Sequence, residues 1–121
     1  MFKNFLLVGL GGGIGSMLRY AASLIINVRY YPLSTLAVNI IGCFIIGVVV
    51  GLSTKDESFF YNWKLFLATG ICGGFTTFSS FSSENMELLQ AGRYALALTY
   101  ICTSVVLGIV ATWFGYKLLN A

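Results

Sequence analysis

The sequence predicts an all-α integral membrane protein, a single domain over residues 1–121 with four transmembrane helices. Hydrophobic residues make up 58% of the chain and charged residues only 9%, and the mean hydropathy is +0.87. Because a soluble domain carries about 25% charged residues, this chain has too few to cover a surface facing water. The net charge of +3 is thinly spread, which excludes the basic block typical of nucleic-acid binding.

Four apolar runs are each long enough to cross the hydrocarbon core, which needs about 20 residues per helix. They predict helices near 4–27, 33–53, 62–86 and 94–118, joined at 27–32, 54–58 and 88–93. Pro32 suits the first turn of the second helix, where a missing N–H costs nothing. Aromatic residues fall at the predicted span ends, as a membrane-interface belt requires: Tyr30, Tyr31, Tyr61, Trp63, Trp113 and Tyr116.

Lysine and arginine are divided almost evenly between the two predicted sides of the membrane. The side of the termini carries Lys3, Lys55, Lys64 and Lys117, and the other side carries Arg19, Arg29 and Arg93. Orientation follows the Lys and Arg bias between short loops, so this chain should insert both ways up. Two copies could then pair antiparallel as a dual-topology homodimer. The alternative is that another signal fixes one orientation.

Small residues at helical spacing predict close packing between helices. Such pairs are Gly9 with Gly13, Gly11 with Gly15, and Gly47 with Gly51, and the series Ser104, Gly108, Thr112 extends the pattern to the fourth helix. Arg19 lies about four turns into the first helix, where a guanidinium must reach water or a partner. It either snorkels to the interface or stands at the mouth of an anion path.

Polar residues share faces on two other helices. Thr35, Asn39 and Cys43 recur every four residues on the second helix, and Tyr100, Ser104 and Gly108 do so on the fourth. Each could simply bond across a helix interface. The three cysteines, Cys43, Cys72 and Cys102, fit buried free thiols, because the chain has no histidine and no CxxC pair.

The third span contains the least helical stretch of the chain. Six hydroxyl residues and three phenylalanines follow two glycines between Gly73 and Ser83. Glycine weakens a helix and a threonine hydroxyl can cap a new one, which predicts a broken third helix, unwound near 73–77. Phe75, Phe78 and Phe81 are spaced along one face beyond it, with electropositive ring edges that suit a narrow path for a small anion.

Three stretches resemble the Fluc-type fluoride channels, the CrcB family. They are Gly11–Tyr20 (GGGIGSMLRY), Thr35–Gly42 (TLAVNIIG) and, most specifically, Gly73–Ser82 (GGFTTFSSFS). The resemblance covers nearly the whole chain. It implies an antiparallel homodimer in the bacterial inner membrane, with two pores that passively export fluoride from the cytoplasm.

The resemblance also implies roles for particular residues. Phe78 and Phe81 match the pore-lining phenylalanines and Asn39 the pore amide, while Thr35, Ser80, Tyr100 and Ser104 match polar pore positions. Arg19 matches the basic residue of the vestibule. Gly73 and Thr76 match the positions whose carbonyls hold a structural sodium ion at the dimer axis. We expect no ammonium or guanidinium near those carbonyls, and no tolerance of β-branched residues at Gly73.

Two other classes remain as alternatives. A small dual-topology drug exporter coupled to protons would need an acid deep in the membrane, whereas Glu84 and Glu87 fall near the predicted end of the third helix. A structural membrane subunit would explain the glycines but not the polar faces. An enzyme is excluded, because the sequence offers no nucleophile–base pair and no metal-ligand set.

Overall fold

The computed structural model describes residues 1–26, 32–55, 61 and 63–120. Helices account for nearly all of this part of the chain, and no strand occurs within it. The helices are α1 (Phe2–Ile25), α2 (Leu33–Lys55), α3 (a π-helical segment, Leu65–Cys72, followed by the turn Gly73–Phe75), α4 (Phe78–Gln90) and α5 (Tyr94–Asn120). The third span is Leu65–Gln90, and all four spans are long and apolar enough to cross a membrane. The prediction of four transmembrane helices is confirmed.

The observed helix bounds differ most from the predicted ones at the end of the third span. The helix α4 continues to Gln90, so the connection predicted from residue 88 is wrong in its first half. The turn is closed by bonds from the N–H of Gly92 to the Leu89 carbonyl (3.1 Å) and from the N–H of Arg93 to the Leu88 carbonyl (2.9 Å). Gly92 has a φ of +77°, which suits a residue without Cβ at a helix C-terminus. The predicted connections at 27–31 and 56–58, with Arg29, Tyr30 and Tyr31, lie outside the described residues.

Glycines set the contact between α1 and α3. A Cβ added at Gly11 would lie 2.9 Å from Gly70 Cα, and one added at Gly15 would overlap the Ile71 carbonyl. Close approach of two backbones is the usual role of small residues at such interfaces. The predicted Gly11–Gly15 pair is therefore confirmed as a packing surface. Gly9 and Gly13, in contrast, have no atoms within 4 Å of an added Cβ.

Helices α2 and α5 form the other closely packed pair. A Cβ at Gly47 would overlap the Thr112 carbonyl, and one at Gly115 would overlap the Phe44 carbonyl. Gly108 lies opposite Cys43, whose Sγ would be 3.5 Å from an added Cβ. The small residues of α5 therefore face α2, as the sequence pattern predicts.

The buried core of the chain is small for its apolar content. One buried cluster consists of Leu36, Leu88, Ala97 and Tyr100, with Ile40, Phe81 and Leu96 packed against it. Outside this cluster the buried apolar residues of the described chain are Val38, Val49 and Cys72. Large apolar side chains face outward elsewhere, for example Leu24 (65% exposed) on α1 and Ile109 (66% exposed) on α5. In a membrane-spanning chain these faces meet lipid or another protein chain.

A first prediction contrasts two neighbouring glycines. Gly73 has ordinary helical dihedrals (φ −62°, ψ −37°), and an added Cβ would meet only the Ala68 carbonyl at 3.8 Å. An added Cβ at Gly74 would instead overlap the Gly12 carbonyl. The overpacking in Gly74→Ala should cost about 1–3 kcal/mol of unfolding free energy. The melting temperature in detergent should therefore fall by several degrees.

Gly73→Ala is the matched control, because it adds the same methyl group one residue away. It should leave the stability of the isolated chain unchanged. Equal melting temperatures for the two variants would show that the contact between Gly74 and Gly12 does not limit packing. The intolerance of β-branched residues predicted at Gly73 stays a prediction, and the helical dihedrals of this residue give it no support.

Candidate functional site

The third span is broken at Thr76 and Thr77. Both residues have extended dihedrals, with φ −84°, ψ 157° at Thr76 and φ −151°, ψ 122° at Thr77. The Thr77 hydroxyl accepts the N–H of Ser80 at 3.1 Å and so caps the start of α4. A broken helix with a threonine cap is confirmed. The unwound part is shorter than predicted, because Gly73–Phe75 still forms a helical turn.

The segment before the break is π-helical, which the sequence did not predict. The N–H of Gly73 bonds to the carbonyl of Ala68, five residues back. Thr76 closes the segment by donating twice to the Cys72 carbonyl, from its N–H (2.9 Å) and from its hydroxyl (2.8 Å). Short π-helical stretches often occur at functional sites. Here the stretch brings Cys72 and Gly73 to the edge of the break.

The side chain of Asn39 bridges α2 to the break. Its Oδ1 accepts the N–H of Thr77 at 2.8 Å, and its Nδ2 donates to the Thr77 carbonyl at 3.2 Å. The amide therefore replaces the helical bonds that Thr77 loses by being extended. Unpaired backbone groups are costly within a membrane, so this bridge stabilises the broken helix. The second N–H of the amide group leaves a donor beyond this pair.

Arg19 lies beside the carbonyl end of α3. Its Nε donates to the Gly74 carbonyl at 3.1 Å, and the residue is only partly exposed. Arg19 therefore has a backbone partner in the third span, and its snorkelling to the interface stays a prediction. The expectation that no guanidinium lies near the break is wrong because of this contact. A cation at the C-terminal end of a helical segment is favoured by the helix dipole.

Phe78, Phe81 and Tyr100 form a row of aromatic rings. The centroids of Phe78 and Phe81 are 5.7 Å apart at an interplanar angle of 46°, and those of Phe81 and Tyr100 are 4.9 Å apart at 61°. The row runs from outside to inside, because Phe78 is 78% exposed and Tyr100 is fully buried. The Phe81 and Tyr100 rings meet edge to face, whereas the Phe78 and Phe81 rings are tilted against each other.

Glu84 is a site residue that the sequence interpretation missed. Its two carboxylate oxygens accept from the hydroxyls of Thr35 (3.0 Å) and Tyr100 (3.1 Å), which come from two other helices. The prediction that Glu84 falls near the helix end is wrong, because α4 continues for six residues beyond it. Its spacing of four from Ser80 and three from Phe81 was the available signal, since residues so spaced share a face.

A polar cavity of about 710 Å³ opens on one side of the break. Three helices, α1, α2 and α4, contribute to its walls together with the break residue Thr77, and the lining includes Ser16, Arg19, Thr35, Thr77, Ser80, Ser83 and Glu84. One cationic side chain and several hydroxyls face the same space, at the N-terminal end of α4. Backbone N–H groups at a helix N-terminus favour negative charge. Arg19 and the start of α4 therefore favour an anion in this cavity, whereas the Glu84 carboxylate on the same wall opposes one.

A second cavity, of about 370 Å³, lies on the other side of the break; we call it the inner cavity. Its walls include Asn39, Cys43, Cys72, Gly73, Thr76, Phe78, Phe81 and Ser104. The Ser104 hydroxyl is buried and has no hydrogen-bond partner in the described part of the chain. An unpaired hydroxyl at a cavity wall is a donor available to a ligand. Thr77 lines both cavities, so the break separates them.

The structure therefore divides the predicted site residues into two groups. Arg19, Thr35 and Ser80 line the polar cavity, and Asn39, Gly73, Thr76, Phe78, Phe81 and Ser104 line the inner cavity. Tyr100 reaches the first group through its bond to Glu84 and the second through its contact with Phe81.

Four apolar spans, a broken third span and a cavity on each side of the break define a multi-pass membrane protein. The family described as "CrcB-like protein, Camphor Resistance (CrcB)" matches residues 6–116. This match covers more than half of the chain, and the chain belongs to the CrcB family.

Several similar proteins carry the name "Fluoride-specific ion channel FluC". The one from Azobacteroides pseudotrichonymphae is 50% identical over 121 residues, which cover 98% of this chain and 97% of that protein. The one from Flavobacterium psychrophilum is 46% identical and covers 93% and 94% of the two chains. The one from Methylobacillus flagellatus is 43% identical and covers 95% and 93%.

Proposed function

We propose that this protein is a fluoride-specific channel that passively exports fluoride across the bacterial inner membrane. The observation that carries the proposal is the broken third helix, with hydrogen-bond donors in the cavities on both sides of one short gap and the two phenylalanine rings in one of these cavities. The names of the similar bacterial proteins support the same function. A small anion needs donors that replace its water, and this arrangement supplies them without a fixed cation in the inner cavity.

The proposed path begins in the polar cavity. Arg19 raises the local concentration of anions there, and Thr35 and Ser80 offer hydroxyls at its wall. Fluoride then passes the rings of Phe78 and Phe81, whose edges carry partial positive charge. Asn39 and Ser104 line the same inner cavity as these rings and supply the second amide N–H and a hydroxyl as further donors. Tyr100 holds the Phe81 ring and Glu84 in place.

The alternative functions explain less of the site. A proton-coupled drug exporter needs an acid in the membrane, and Glu84 provides one, so the absence of an acid no longer argues against it. The exporter is disfavoured by the similar proteins, which are named as ion channels over nearly the whole chain length. A structural subunit leaves the row of rings and both cavities unexplained.

The function is tested by measuring fluoride efflux from liposomes that contain the purified protein. A potassium ionophore lets K⁺ leave together with the anion, so that no membrane potential opposes efflux, and a fluoride electrode records the released fluoride. Chloride-loaded liposomes serve as the control. We expect rapid fluoride release and no chloride release. Equal rates for the two ions, or no fluoride release from a folded protein, would contradict the proposal.

We propose further that two copies pair antiparallel and form two pores. The Lys and Arg tally of four against three supports insertion in both orientations. The outward-facing Phe78 supports a partner at the rings, because a side chain that is 78% exposed in one chain lacks its packing surface.

Orientation provides the second prediction. Adding three lysines after the C-terminus should fix one orientation, and adding three beside Arg93 should fix the other. Each variant alone should lose fluoride efflux, whereas their co-expression should restore it. A variant with three added serines is the matched control for the insertion. Full efflux from a single fixed orientation would exclude the antiparallel dimer.

We propose that the carbonyls of Gly73 and Thr76 from both copies hold a structural sodium ion at the dimer axis. Gly73 is exposed in the single chain, whereas its neighbour Gly74 is partly buried, which supports a second chain approaching at Gly73. Arg19 donates to the neighbouring carbonyl of Gly74, which leaves the carbonyls of Gly73 and Thr76 to hold the cation. Carbonyl oxygens are suitable ligands for such a hard cation.

Sodium dependence is the third prediction. An ion bound only by the assembled dimer stabilises it by mass action, by about 2.7 kcal/mol at a hundred times its dissociation constant. Replacing sodium with N-methylglucamine should therefore lower the melting temperature and the fluoride flux together. Gly73→Ala should weaken this sodium dependence while the isolated chain stays folded. The same melting temperature and the same fluoride flux in both salts would contradict the proposed sodium site.

A further inference from the structure

Two of the three cysteines line the inner cavity. Cys43 comes from α2 and Cys72 from the end of the π-helical segment, and both have free thiols. Cys72 is 3% exposed and Cys43 is partly buried. Cys102 is exposed on the outer side of α5 and so provides a natural comparison.

Cys43 also lies where two cavities meet. A third cavity, of about 610 Å³, runs between α2 and α5 and is lined by Gly47, Gly108, Thr112 and Trp113 among others. This cavity and the inner cavity share Cys43, Ser104 and Val105. Gly108 faces Cys43 without a side chain between them, and a Cβ added at Gly108 would lie 3.5 Å from the Cys43 sulfur. The thiol of Cys43 and the unpaired hydroxyl of Ser104 therefore form the junction between the cavities.

We propose that Cys43 and Cys72 form a binding site for a soft monovalent cation of the copper(I) and silver(I) class, and that its occupation closes this junction. Thiol sulfur selects soft cations, whereas sodium prefers oxygen ligands. When the cation binds, one thiol loses its proton to water as the metal–sulfur bond forms. The other sulfur donates a lone pair and keeps its proton, so no oxidation state changes.

The charge of the product explains why this class of cation fits. One thiolate, one thiol and one monovalent cation together carry no net charge. A neutral product avoids the desolvation cost that a buried charge incurs within a membrane. The same pair with a divalent cation would remain positive unless the second thiol also lost its proton. Apolar neighbours such as Val105 and Phe81 limit the water available to compete for the metal.

Silver binding to the purified protein tests the site without reference to transport. The titration is done by calorimetry in a nitrate buffer, since chloride would precipitate silver, and released protons are counted with a pH indicator. The wild-type protein and Cys102→Ser should each bind a silver ion tightly per inner cavity and release a proton. Cys43→Ser and Cys72→Ser should each lose this tight site. Tight binding that survives either of these two substitutions, or that requires only Cys102, would overturn the proposal.

Closure of the junction rests on the proposed function and is measured separately. Silver should stop most of the fluoride efflux of the wild-type protein and of Cys102→Ser, and excess glutathione should restore it. For Cys43→Ser and Cys72→Ser, the ratio of efflux with and without silver should stay near unity, whatever their basal rate. Protein that conducts fluoride but ignores silver would overturn the closure and leave the channel function standing. Protein that binds silver but never releases fluoride would overturn the function and leave the thiol site standing.

Discussion

Replacing Asn39 with leucine should lower both the free energy of unfolding and the fluoride flux. The substitution keeps the size of the side chain and leaves the N–H and carbonyl of Thr77 without their partners. An unsatisfied buried polar group costs about 1–3 kcal/mol, so the two together should lower the free energy of unfolding by about 2–6 kcal/mol. Thermal unfolding in detergent and fluoride efflux from liposomes measure the two effects on the same sample.

The control for Asn39→Leu is Thr99→Ala. The Thr99 hydroxyl is exposed and bonds only to the Ala95 carbonyl of its own helix, so its loss should leave both measurements unchanged. The comparison also separates two roles of the amide. A fall in flux with an unchanged melting temperature would show that Asn39 acts on the ion and does not brace the break.

Replacing both phenylalanines with isoleucine should reduce fluoride flux more than any other change to the rings. If each ring edge contributes about 1.4 kcal/mol to carrying the ion, each substitution slows flux about tenfold. Phe78→Ile should do so without destabilising the fold of the single chain, in which the ring is 78% exposed. Phe81→Ile should also lower stability, since Phe81 packs against Tyr100.

The matched control for the rings is Phe114→Ile. Phe114 is 55% exposed on α5 and lies away from the row of rings. Its substitution removes a phenylalanine from the membrane-facing surface without touching either cavity, so flux should not change. Unchanged flux in Phe78→Ile and Phe81→Ile would remove the rings from the mechanism. An equal loss of flux in all three variants would indicate a general effect of apolar surface.

The sequence alone determined the four spans and the position of the break to within a few residues. The spans can be predicted because a run of about 20 apolar residues is typical of a transmembrane helix. The break is readable because glycine and threonine oppose helix locally, whatever the rest of the fold does. The Gly11–Gly15 pair is readable because its spacing already places both residues on one face. The detailed pore roles came from the family resemblance, and the structure brings those residues together without testing the roles.

Only the tertiary structure decided which polar groups meet. Arg19 is 55 residues from the Gly74 carbonyl that it binds, and Thr35 is 49 residues from Glu84. No local pattern encodes such pairs, because they depend on how α1 and α2 are rotated against the third span. The π-helical segment Leu65–Cys72, which contains the Gly70 that packs against Gly11, was likewise found only in the structure. Helix type and location follow from short-range physics, whereas helix rotation is set by the packing of the whole bundle.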